Sequence, residues 1–103
     1  MILSELKNIL DTTGYPVAYD HFESNPEPPY IVYLTPYSTN FGADNKVYSK
    51  INHGQIELYT SIKDSGAEQV LENVLDDASI FYEKVETYIE SQKLYQVIYE
   101  ISI

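Results

Sequence analysis

Cysteine, arginine and tryptophan are all missing from this chain of 103 residues, and each absence excludes something. Without cysteine there is no disulfide framework and no thiolate metal site. Without arginine the chain lacks the side chain that reads phosphates and guanine edges in two-pronged fashion, which argues against sequence-specific nucleic-acid binding. Basic residues are scarce altogether: six lysines stand against 16 acids, for a net charge of −10. That charge repels DNA and anionic lipid alike. Glycine occurs four times, at scattered positions, and forms neither a phosphate-binding loop nor a G-x-S-x-G elbow. No apolar run approaches bilayer length, and the opening Met1-Ile-Leu-Ser-Glu-Leu-Lys7 has no signal-peptide pattern, so the cytoplasm is the expected place of synthesis.

What is present is a core. Apolar residues make up 44% of the chain, enough for one small domain spanning residues 1–103. Tyrosine supplies eleven of the fourteen aromatic side chains, beside three phenylalanines. Its apolar ring and wet hydroxyl suit half-buried strands and protein interfaces.

Periodicity orders the elements. Ile2, Leu3, Leu6, Ile9 and Leu10 share one helical face, which predicts a helix over about 2–12 that stops at Gly14 and Pro16. Tyr15 to Phe22 reads as a short strand. Residues 23–29 hold three prolines and form a loop. Tyr30–Tyr37 and Lys50–Ile62 read as strands joined by a polar, turn-rich tip over 38–49, with Pro36 marking a bulge or an edge. Ser65-Gly-Ala-Glu68 has the form of a capping box and opens a helix over 66–78. Strands over 81–89 and 94–103 close the chain. The fold class is α+β: a single mostly antiparallel sheet with two helices on one face, in the order α-β-β-β-α-β-β. Ile56, Leu58, Leu71, Val74, Val97 and Tyr99 are expected in its core.

Catalytic and metal readings do not assemble. Asp11-Thr-Thr-Gly14 departs from the aspartic-protease triplet and closes a helix. Asp20 and His21 alternate across a strand and cannot converge on one ion. Asp76 and Asp77 are neighbours on a helix and point about 100° apart, which is no dyad. The chain is expected to be no enzyme and to need no cofactor. With Glu68 and Glu72 these two aspartates are expected to form a solvated acidic face. Residues 64–90 carry a net −7, whereas 43–63 carry +1. The tip holds Phe41, Asp44, Asn45, Lys46, Val47, Tyr48 and Lys50, exposed aromatics beside two cations, and is the candidate interface.

Several strand and loop segments resemble a known family. They are Pro16-Val-Ala-Tyr19, Pro28-Pro-Tyr-Ile-Val-Tyr-Leu34, Asn40-Phe-Gly-Ala-Asp-Asn-Lys-Val-Tyr48, Ile56-Glu-Leu-Tyr-Thr60, Phe81-Tyr-Glu-Lys84, Thr87-Tyr-Ile-Glu90 and Lys93-Leu-Tyr-Gln-Val97. Together they resemble the small tail-terminator or head–tail joining (tail completion) proteins of Gram-positive siphophages and prophages. The resemblance implies a structural virion protein: a ring of copies, usually six, that caps the tail tube and meets the head connector or stopper protein, with DNA only passing through its channel and no membrane involved. It places the protein at the head–tail interface of the virion, and an acidic lumen of Glu68, Glu72, Asp76 and Asp77 would let DNA slide. The rival reading is an acidic DNA mimic that blocks a nucleic-acid enzyme.

Overall fold

The computed structural model describes residues 2–43 and 46–102, and for residues 36–52 the backbone alone. The order is α1 (Leu3–Asp11), β1 (Val17–Tyr19), β2 (Tyr30–Ala43), β3 (Lys46–Thr60), α2 (Ser65–Asp77), β4 (Tyr82–Ile89) and β5 (Leu94–Ser102). The expected α-β-β-β-α-β-β succession and α+β class hold.

One five-stranded sheet runs β1-β2-β3-β5-β4, parallel between β1 and β2 and antiparallel elsewhere. The register decides which residues meet the helices. Ile31 pairs with Leu58, which pairs with Val97; Tyr33 pairs with Ile56, which pairs with Tyr99. Successive strand residues alternate faces, so these six side chains line one face of the sheet. Leu6 and Leu10 of α1 and Ala67, Leu71 and Leu75 of α2 close over them, and all are buried in one cluster. Of the six expected core residues, five are fully buried and Val74 packs against them at its margin.

Local chemistry sets the helix ends. Thr12 and Thr13 donate their hydroxyls to the carbonyls of Ile9 and Leu10, at 2.6 and 2.7 Å, and Gly14 then turns the chain at φ 83°. The start of α2 differs from expectation. The cap is Asp64, whose carboxylate accepts from the Ala67 N–H at 3.0 Å, so Ser65 is the first helical residue and Glu68 is free of a capping role. At the other end the N–H of Ile80 reaches the Leu75 carbonyl and that of Ser79 reaches Asp76, with Ser79 at φ 57°. This is a Schellman ending with serine in the place glycine prefers.

Two strand boundaries also differ. β1 is only three residues long, because Asp20 at φ 65° turns the chain out of the sheet. β2 and β3 run through most of the expected 38–49 tip, leaving only residues 44–45 outside the description. Backbone pairing satisfies N–H and C=O groups whatever the side chains are, so the polar run Ser38-Thr-Asn40 does not interrupt the ladder.

Candidate functional site

The long β2–β3 hairpin is two structures in one. Near its base it belongs to the sheet: β1 pairs with β2 over Ile31–Tyr33, and β5 pairs with β3 from Thr60 back to His53. Beyond those limits, among the described residues, Ser38–Ala43 and Lys46–Asn52 pair with each other alone. The result is a two-stranded arm about 20 Å long, seven residues at strand rise, on a molecule whose longest dimension is 50 Å. Register shifts between Leu34 and Tyr37, around Pro36, and between Phe41 and Gly42 separate arm from body and distort its end. Of the expected interface residues, Phe41, Lys46, Val47, Tyr48 and Lys50 fall on the arm's two strands, while Asp44 and Asn45 lie outside the described residues.

The acidic helix is not the uniform solvated face expected from its sequence. Glu68 and Glu72 lie one turn apart on the side of α2 that faces β4, and Glu68 is 4% exposed. Both oxygens of Glu68 are taken: Lys63 Nζ lies 2.6 Å from one and Lys84 Nζ 2.6 Å from the other. Lys84 also reaches Glu72 at 2.9 Å, and Lys63 reaches Glu86. Glu72 accepts further hydrogen bonds from the hydroxyls of Tyr99, at 2.8 Å, and Tyr82, at 3.3 Å.

Burial pushes both carboxyls up, but the ammonium groups outweigh it, those of Lys63 and Lys84 at Glu68 and that of Lys84 together with the Tyr99 hydroxyl at Glu72. Both end below the usual carboxylate range. Burial and then Glu72 push the Tyr99 hydroxyl far above its ordinary value, so it stays a donor. These two glutamates are tied into the body, because the strand register sets Lys84 opposite Tyr99 beneath α2. Asp76 and Asp77, in the last turn, are exposed.

The edge strand β4 is the feature that sequence reasoning left without a role. Its eight residues form one side of the sheet, contain neither proline nor glycine, and pair only with β5. Exposed apolar side chains gather there: Phe81 is 91% exposed, Val85 56% and Tyr88 47%. Phe81 also borders an open groove of about 650 Å³ with His53, Ile80, Glu83, Glu100 and Ser102, next to the root of the arm. The signal for it in the sequence is Phe81 and Val85, apolar residues that interrupt the acidic run. Asp20 and His21 do not alternate across a strand as expected: β1 ends at Tyr19, Asp20 turns at φ 65°, and Asp20 Oδ2 and His21 Nδ1 meet at 3.0 Å on the surface. Among the described residues no three metal-ligating side chains converge.

The topology has a solved counterpart. A chain in the virion of a native gene transfer agent particle shares it with a TM-score of 0.65, over 91% of this chain and 81% of that one. The fold is one that a virion uses. Sequence identity is 10%, so the likeness is one of fold. No family model matches the sequence, and no curated protein matches it.

Proposed function

We propose that this chain is a structural virion protein that closes into a ring on the end of a phage tail tube and joins it to the head. The observation that carries the reading is the shared fold with a chain of a gene transfer agent virion along nine-tenths of this sequence. The segments resembling tail-terminator and head–tail joining proteins point the same way, and so does the arm. A two-stranded projection that leaves the sheet has no third strand beside it among the described residues, and a neighbouring copy or the tail tube is the surface that would meet it. Its sequence suits that use, with Phe41, Val47 and Tyr48 beside Lys46 and Lys50. Asp76 and Asp77 remain candidates for an acidic channel wall, on which DNA would not stick.

The DNA-mimic reading fits less well. A mimic displays its acids, whereas Glu68, Glu72 and Glu86 are engaged by lysines of the same chain.

The test replaces Phe41 and Tyr48 together by serine. Circular dichroism should show an intact fold, because the arm stands off the core, while ring formation at high protein concentration and attachment to purified tails should be lost. Normal rings and normal attachment from the double variant would overturn the proposal.

A further inference from the structure

The sheet ends differently on its two sides. β1 is three residues long, begins after Pro16 and leads into the proline-rich segment, which blunts that edge. β4 offers eight residues of strand whose outer backbone groups have no partner among the described residues, with no proline or bulge to deter pairing. Among the described residues, the arm is another part of the sheet whose strands have an unpaired side. From Asn52 back to Lys46, β3 has β2 on one flank and, among the described residues, no strand on the other.

These two open edges are complementary. Residues 46–52 of the arm carry Lys46 and Lys50 and no acid, with Val47, Tyr48 and Ile51 as apolar members. The β4 edge and its turn carry Glu83, Glu86 and Glu90 against Lys84 and Lys93. Lys84 is held by its own Glu68 and Glu72 and Glu86 by Lys63, which leaves Glu83 as the exposed acid on the strand, beside the exposed Phe81, Val85 and Tyr88. Lengths match as well, at seven residues of arm against eight of edge. Within one copy the two cannot meet. Thr87 lies across the sheet from Tyr59 through Gln96, and Ser49 lies ten residues further along β3, about 33 Å away at strand rise.

We infer that residues 46–52 of one copy add as a strand to the open β4 edge of a second copy, so that the arm extends the neighbour's five-stranded sheet. Main-chain hydrogen bonds would supply the attachment, and an arm lysine meeting Glu83, the strand's exposed acid, would set its register. This rests on the ring reading and names its acceptor. α2 does not serve, because Glu68 and Glu72 are already held by Lys63 and Lys84.

The absence of cysteine makes a clean test. Ser49→Cys is combined in turn with Glu83→Cys, Val85→Cys and Thr87→Cys in the full-length protein, which is concentrated and oxidised. Even the nearest pair, through Gln55, lies at least about 20 Å apart within one copy. That is far beyond the roughly 7 Å between Cα atoms that a disulfide tolerates, so any bond must join two copies. The expected result is a ladder of linked dimers and higher species from at least one pair, abolished by reductant and absent from each single-cysteine variant. Light scattering on the unmodified protein reads ring formation separately. Rings without a ladder from any of the three pairs would overturn the strand addition and leave the ring intact. Neither rings nor a ladder would overturn both.

Discussion

A buried carboxylate held by two ammonium groups that reach solvent is a stability device with a pH signature, and Glu68 is the example here. In the unfolded chain Glu68 and Glu72 titrate near the usual value of about 4.3, and in the folded chain both lie lower. The folded form therefore binds fewer protons. The stability they contribute is complete above about pH 5 and drains away as pH falls through their folded-state values. Lys84, held above its ordinary range first by Glu68, loses its contribution only as pH rises beyond about 10. Replacing Glu68 by glutamine should cost about 1–3 kcal/mol near neutrality, because charge-assisted hydrogen bonds at a buried carboxylate are lost. Acidification should shrink that gap. Urea midpoints of both proteins at neutral and acid pH check it, and a gap that stays constant would refute the assignment. None of this was legible in the sequence, where Glu68 reads as the far end of a capping box and as one acid of a solvated helix face. Only the register of β4 against β5 brings Lys84 under it.

At the scale of elements, much of the fold was legible. Apolar spacing places α1 and α2 to within a residue or two, and dense β-branched and aromatic runs place Tyr30 and Leu94 at the starts of strands. What escaped were choices among equivalent local partners. Asp64 and Ser65 are both good caps, and geometry selects the aspartate. Replacing Asp64 by alanine should cost about 1 kcal/mol, whereas Ser65→Ala should change little. The far end of α2 invites the opposite change. Ser79 holds a left-handed conformation in a Schellman ending, and Ser79→Gly should raise stability by about 0.5–1 kcal/mol. Thermal midpoints of the three variants would rank them, and a destabilised glycine variant would mean that the serine makes a compensating contact. The arm was misread for a related reason: polar residues outside a core pair as strands when their backbone has a partner, and side-chain patterning does not report that.

Seen whole, the molecule is a packed body and an arm that pairs with itself, and the two should be separable. Joining Ser38 to Asn52, which face each other in the register, through a two-residue Asn-Gly turn removes the arm's outer part and closes a standard hairpin. The trimmed protein should keep its far-UV spectrum and cooperative unfolding while losing self-association; a protein that no longer folds would show that the arm belongs to the core. The blunted β1 edge has a consequence at this scale. A copy with one arm to give and one edge to receive has a valence of two, with a fixed direction. Under the proposed strand addition, closure into a ring would consume every arm and every edge and leave no further subunit a place to add. A trimmed copy keeps the edge and lacks the arm, so it acts as a chain stopper: a small fraction of it, mixed with the intact protein, should poison rings out of proportion to its abundance.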